Sequence, residues 1–306
     1  MGFEYPVARY RFEFDVETQL CLPEYAGSAL RGAFGRALRQ LACATRAKTC
    51  DGCILASACP YTSIFEPQKP QSSSLGIETP PVPYVIEPPV GGGRVVQPEE
   101  SLSFHFILIG RAIDLLPISI MAWQRAFSHG VGKGDGRAAL KGVFLDMPKI
   151  EMEVHRPGEK VAPHTAMFAL PDSAQPVKLD LEFETPLRLQ ENGHALPPSR
   201  IAARPLLMAL VRRACLLLEH HHSGSLHADF PALARAAEEM KWAADMEWRD
   251  WTRYSSRQGK TMQLGGCIGS VTLEGDLAPF YDFLRLGEFL HVGKETAFGL
   301  GKYRIL

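Results

Sequence analysis

Hydrophobic and polar residues alternate over Val7 to Val16 (VARYRFEFDV), the period of a strand with one buried face. From Tyr25 to Ala42 the period changes, and Leu30, Phe34, Leu38 and Leu41 fall on one helical face. A Pro- and Ser-rich connection follows at 67–98, with a short strand at Tyr84 to Glu87. Ser101 to Ile109 alternates again, placing Leu102, Phe104, Phe106 and Leu108 on one face and His105 on the other. A helix over Leu115 to Ser128 ends at Gly130, Gly132, Gly134 and Gly136, and further strands lie within 138–155. This half reads strand, helix, strand, strand, helix, strand.

The second half repeats that order. Val177 to Leu189 alternates as a strand, and Pro205 to Glu219 carries Leu206, Leu210, Ala214 and Leu217 on one stripe. A further helix is predicted over Ala232 to Met240, strands over Glu247 to Tyr254 and Met262 to Leu273, a helix over Leu277 to Leu290 and a last strand over Phe298 to Leu306. The order is the split βαβ of a ferredoxin-like domain, seen twice. The expected fold class is therefore α+β, with ferredoxin-like (RRM-like) domains in tandem at 1–160 and 175–306. Such a fold by itself does not name an activity.

Composition refines the picture only slightly. The 306 residues are 46% hydrophobic and 22% charged, ordinary for a globular protein of this length. No apolar run approaches the roughly 20 residues that span a bilayer, and MGFEYPVARYRFEF lacks the pattern of a secretory signal, so a cytoplasmic address without membrane attachment is expected. Sulfur is unevenly spread. Of seven cysteines, Cys43, Cys50, Cys53 and Cys59 crowd into an insertion at 43–66. In a reducing compartment such clusters hold metals or do redox chemistry more often than they form disulfides. The central Cys-x-x-Cys suits a tight turn offering two thiolates to a tetrahedral ion, with the outer pair completing a closed shell. Structural zinc is the expected cofactor, an iron–sulfur cluster or unligated thiols being the alternatives. Cys21, Cys215 and Cys267 read as small buried hydrophobes.

LPEYAGSALRGAFGRAL at 22–38, the cysteine cluster ending in CPYTSIFEP, AWQRAFSHGVGKGDGRAAL at 122–140 and FLHVGKETAFGLGKYRI at 289–305 together resemble the CRISPR precursor-RNA processing endoribonucleases of the repeat-associated RAMP superfamily. The resemblance spans nearly the whole chain. It implies paired ferredoxin-like domains, a glycine-rich loop at 291–301, and CRISPR repeat RNA as substrate. It also implies cleavage without a metal cofactor, by a ribose 2′-hydroxyl attacking the adjacent phosphate. Guide RNA held after cutting, and subunits of a CRISPR effector complex, are the partners it implies.

The residues offer three places for RNA. A net charge of −1 gives no general affinity for polyanions, so any RNA site is a local patch. Between Tyr25 and Cys50 stand Arg31, Arg36, Arg39, Arg46 and Lys48 with no acidic residue, the alternative being a solvated helix face. In RDWTRYSSRQGK, Arg253, Arg257 and Lys260 are interleaved with Trp251 and Tyr254, a mix suited to phosphates and unpaired bases, although the aromatics equally suit a core. In GKETAFGLG, Gly293, Gly299 and Gly301 allow close backbone approach and Lys294 adds charge; the residues alone read as a tight turn, and the resemblance favours RNA backbone binding.

Internal attack by the 2′-hydroxyl needs a base, a proton donor and cationic stabilisation. Many relatives place a histidine in or just after the first helix, whereas this chain has none before His105. His291, directly before the glycine-rich loop, and His129, in FSHGVG, are the candidates, with Tyr25 to orient the nucleophile or stabilise the phosphate. For each histidine a capping or packing role stands beside the catalytic one. His220, His221 and His222 read as a frayed polar helix end. Two other readings stay open: a RAMP-type subunit that binds guide RNA without cutting, and a metal enzyme unrelated to RNA.

Overall fold

The computed structural model describes residues 4–69, 79–89, 93–169, 176–222, 224, 226, 228–250, 252–255, 260–263 and 265–306. Two compact units emerge, Tyr5–Phe168 with Leu216–Gly224, and Ala169–Cys215 with Ser225–Leu306 and Met1–Glu4. Residues Leu216–Gly224, late in the chain, thus count with the N-terminal unit.

In the N-terminal unit the main elements are β1 (Val7–Val16), α1 (Gly27–Ala42), α2 (Pro60–Ile64), β2 (Tyr84–Glu87), β3 (Ser101–Ile109), α3 (Leu116–His129), β4 (Ala138–Met147) and β5 (Ile150–His155). The strands form one antiparallel sheet in the order β2-β3-β1-β4-β5. Without the extra edge strand β5, this is the order that a split βαβ pattern produces. Alternation sends Phe12, Phe14, Phe104 and Phe106 to one face, where they meet Phe34 of α1 and Trp123 and Phe127 of α3. Ring centroids lie 4.9 Å apart for Phe34 and Trp123 and 4.6 Å apart for Phe104 and Trp123, so both helices grip one aromatic layer.

The opposite face of that sheet is ionic. Glu87, only 3% exposed, takes an ion pair from Arg9 at 2.9 Å, and His105 Nε2 meets Asp146 at 2.8 Å. Burial first, and then the Arg9 charge, push the His105 pKa down. Arg11 is paired with Glu13 and Glu151. Arg9 and Arg11 are thus neutralised within this face.

The C-terminal unit contains β6 (Lys178–Leu187), α4 (Ala203–His221, whose last turns count with the other unit), α5 (Phe230–Glu238), β7 (Lys241–Arg249), β8 (Thr252–Ser255), β9 (Lys260–Gln263), β10 (Gly266–Glu274), α6 (Tyr281–Leu290) and β11 (Tyr303–Ile305). Its main sheet is antiparallel in the order β7-β10-β6-β11, the same topology again. The predicted strands at 247–254 and 262–273 each divide, because the β8–β9 ribbon pairs as a separate sheet. The last strand is shorter than its pattern suggests. Glu295, Gly299 and Gly301 have φ of 62°, 90° and 71°, which no strand admits. Cys215 and Cys267 are buried as expected, while Cys21 is half-buried.

The expected frayed end at His220–His222 is instead anchored. His221 is 8% exposed, with Nε2 donating to the Pro81 carbonyl at 2.6 Å, both within the N-terminal unit. Among the described residues no helix is long and apolar enough to cross a membrane.

One close contact fixes α6 on its sheet. A Cβ at Gly287 would stand 2.1 Å from Tyr303 Oη and 2.8 Å from Leu210 Cδ1, while that hydroxyl already donates to Leu284 O at 2.6 Å. Helix propensity alone favours alanine over glycine by about 1 kcal/mol. Overpacking has the opposite sign and is larger here, since the tyrosine cannot retreat without losing a buried hydrogen bond. Gly287→Ala is expected to destabilise the protein by about 1–3 kcal/mol in urea unfolding; an unchanged or raised midpoint would show that the contact relaxes freely.

Candidate functional site

Helices α1 and α3 meet through small residues, Ala33 and Ala37 against Ala126, over the Phe34–Trp123 layer. Small side chains let the helix backbones approach, so the longer residues one turn away stand at the rim. A shallow depression of about 50 Å³ results, lined also by Arg36, Gln40, Arg125, His129 and Gly130. Spacing explains the grouping. Arg36 and Gln40 are four residues apart on α1, as are Arg125 and His129 on α3, so each pair shares a face.

His129 is exposed at the last position of α3, and its Nδ1 lies 2.9 Å from the Arg125 carbonyl. A carbonyl only accepts, so Nδ1 carries the proton and the Nε2 lone pair is left for a ligand. Arg125 Nε donates to Gln40 Oε1 at 3.0 Å, which ties the two helices together and fixes the guanidinium plane. Arg36 is exposed and has no acidic partner among the described residues. Among the described residues that line the depression none is a carboxylate, and Asp135 packs against Gly130 at its edge. A lone-pair base beside guanidinium groups is an arrangement that can receive a phosphate and accept a proton next to it.

The remaining predicted RNA contacts on α1 do other work. Arg31 Nε donates to the Tyr84 hydroxyl at 3.0 Å and its guanidinium lies 4.5 Å from the Phe65 ring centre. Arg39 donates to Ala47 O at 2.6 Å and Lys48 O at 2.7 Å and lies over Tyr61. These side chains, expected as RNA ligands, also do structural work: Arg31 through Nε ties α1 to Tyr84, and Arg39 through one terminal nitrogen ties it to the segment that follows. Arg46 and Lys48 are exposed. Phe65 packs directly on Gly35, where a Cβ would lie 2.2 Å from the ring.

His291 is also corrected. Its side chain is 0% exposed, and Nδ1 sits 3.2 Å from Leu300 O, so it closes the loop from inside and is not presented to solvent. Several amides of the glycine-rich loop are likewise engaged. Lys294 N donates to Arg188 O, Gly299 N to Thr296 O and Gly301 N to Pro186 O, at 2.8, 2.8 and 3.0 Å. Its glycines serve positive φ and close backbone approach, a Gly301 Cβ standing 1.8 Å from Val292 O. Amides of Lys294, Gly299 and Gly301 therefore do not cradle a phosphate in this conformation; Lys294 is exposed, and Gly293, Glu295 and Ala297 are half-buried. Burial first, and the Glu87 charge second, raise the Tyr25 pKa well above its ordinary value, so this phenol stays protonated. It does not line the depression. Arg253 and Lys260 lie on the β8–β9 ribbon with side chains outside the described residues, and Arg257 and Trp251 fall outside them altogether.

Sequence reasoning missed Arg125 and Gln40. The signal was available in the i,i+4 spacing of Arg125 to His129, but pairing it with α1 requires knowing that the helices pack.

Residues 4–166 match the family model AF_1859_N, described as an N-terminal domain, and residues 181–303 match CRISPR-associated endoribonuclease Cas6. No curated protein matches in sequence. Among solved structures, a Cas6 product complex is 16% identical, with 99% of this chain and 100% of that chain covered at a TM-score of 0.58. Thermus thermophilus Cas6 is 15% identical, with 99% of each chain covered at 0.54. A partial Cas6-RT-Cas1--Cas2 complex is 12% identical, with 99% of this chain and 46% of that one covered at 0.57. At these identities the structural likeness is one of fold. One family model covers more than half of the chain and the Cas6 model most of the remainder, so the protein belongs to the family those two models describe, with a CRISPR-associated Cas6 endoribonuclease domain at 181–303.

Proposed function

We propose that this protein is an endoribonuclease that cuts CRISPR repeat RNA without a catalytic metal, through the depression between α1 and α3. The observation that carries the reading is the exposed His129, its Nδ1 proton held by the Arg125 carbonyl, beside Arg36 and Arg125. His129 Nε2 takes the proton of the ribose 2′-hydroxyl. The 2′-oxygen bonds to phosphorus, the bond to the 5′-oxygen breaks, and that oxygen takes up a proton from solvent water. The products are a 2′,3′-cyclic phosphate and a 5′-hydroxyl. Arg36 and Arg125 stabilise the charge that gathers on the phosphoryl oxygens. Gln40 keeps Arg125 in plane. Tyr25, protonated, supports the start of α1 and touches no reacting atom in this reading.

Retention of the product fits the same chemistry, since the guanidinium groups bind the cyclic phosphate as they bind the substrate. One fold neighbour is a Cas6 product complex and another carries Cas6 with reverse transcriptase, Cas1 and Cas2, which suggests RNA and CRISPR proteins as partners here. A second reading, a subunit that holds guide RNA without cutting it, is favoured by one feature, the absence of any histidine on α1.

Purified protein incubated with repeat RNA in EDTA is expected to yield a cyclic-phosphate end, and a 2′-deoxy substitution at the cut site to abolish it. Tight binding with no cleavage would establish the second reading. Under single turnover, His129→Ala is expected to lower the rate by about 10²–10⁴-fold with RNA affinity nearly unchanged; a rate within twofold of the native protein removes His129 from the mechanism. Arg36→Ala should weaken RNA binding and flatten its salt dependence, whereas Arg31→Ala should lower the unfolding midpoint and leave affinity in the folded protein unaltered. The reverse pattern would reassign the two arginines.

A further inference from the structure

The segment between α1 and α2 has no apolar core. From Cys43 to Cys59 every residue is exposed except the four cysteines and Ala56. Ile54, the largest hydrophobe in the stretch, is 90% exposed, and no buried hydrophobic residue occurs between Leu38 and Tyr61. A loop of this length pays ordering entropy residue by residue and here recovers none of it through apolar burial. Small folding units in that position use another staple.

The cysteines are what the loop turns inward. Cys43 caps the end of α1, its N–H bonded to Arg39 O; Cys50 and Cys53 flank a turn in which Cys53 N donates to Cys50 O at 3.2 Å and Gly52 has φ of 68°; Cys59 caps the start of α2. All four line one pocket of about 180 Å³. Thr45 Oγ1 lies 3.8 Å from Cys43 Sγ and 3.9 Å from Cys53 Sγ, so thiols from distant parts of the loop reach a common neighbour. None is in a disulfide. As placed, the sulfurs line the pocket without meeting: among the described residues no group of three or more His, Cys, Asp or Glu is close enough to share an ion. Binding an ion therefore requires the thiols to turn into the pocket, and each cysteine has three staggered χ1 wells through which to do so.

We infer that Cys43, Cys50, Cys53 and Cys59 bind a zinc ion as four thiolates, and that the ion is the core of this segment. Loss of four thiol protons on binding balances the chemistry, with no redox step. The site is closed, since four protein ligands fill a tetrahedral shell, so it is structural. Around it the clasp is already built: Arg39 fixes the carbonyls of Ala47 and Lys48, and the single hydroxyl proton of Thr62 is shared between the carbonyls of Ala56 and Cys59. The inference does not depend on the nuclease reading.

Native full-length protein, purified without added metal or chelator, is tested by metal analysis and by thiol titration with an organomercurial in the presence of a zinc-sensitive dye. The expected result is about one zinc per chain, released as four thiols react, in line with four-thiolate sites. Cys53→Ser should lose the zinc and become cleavable by protease within 44–58, while Cys21→Ser, a cysteine outside the pocket, should keep its zinc and stay resistant. Should Cys53→Ser fail to fold, the mercurial release on native protein still decides. Metal-free protein whose four thiols react at once with the loop protease-resistant overturns the inference, and so does iron with the visible absorption of a cluster.

Discussion

The contact between α1 and α3 is the constraint from which the functional geometry follows. Ala33, Ala37 and Ala126 let the helices approach over a shared aromatic floor of Phe34, Trp123 and the sheet phenylalanines. Because packed interiors tolerate little change in volume, this contact fixes the helices in both spacing and rotation. Arg36 and Gln40 then have to face Arg125 and His129. A chain with no overall positive charge obtains an anion-binding surface from this local arrangement, and the ionic far face of the sheet, where Arg9 and Arg11 are already paired, contributes nothing to it.

Arginine serves two ends along one helix. Arg31 and Arg39 spend their guanidinium groups on Tyr84, on the Phe65 and Tyr61 rings and on loop carbonyls, holding the cysteine segment down. Arg36, on a different face, is left to solvent. The same residue type is structural or free according to what the helix turns it towards. A count of basic residues along α1 therefore overstates the surface available to RNA.

Much of the fold was legible in the chain because amphipathic periods of two and 3.6 are written locally. The strands at 7–16, 84–87 and 101–109 coincide with their predicted bounds, and both halves have the expected strand order. The divided strands around 247–273 were not legible, since ribbon and sheet share one alternating pattern. The site was read less well for a physical reason. Burial of His291, engagement of Arg31 and Arg39, and the bonded amides of Lys294, Gly299 and Gly301 are all tertiary facts, and residue type carries no record of them. His129 was identifiable as a histidine at a helix end, but its partner arginine and the bond that fixes its tautomer were not.

The most direct test is the response of the imidazole itself. With histidine rings isotopically labelled, nuclear magnetic resonance of the protein titrated with a repeat RNA carrying a 2′-deoxy cut site should show the His129 ring signals, assigned through His129→Gln, shifting to saturation at one RNA per chain, while those of buried His291 stay in place. RNA that binds with His129 unmoved would contradict the account, because the phosphate would then lie somewhere other than between α1 and α3.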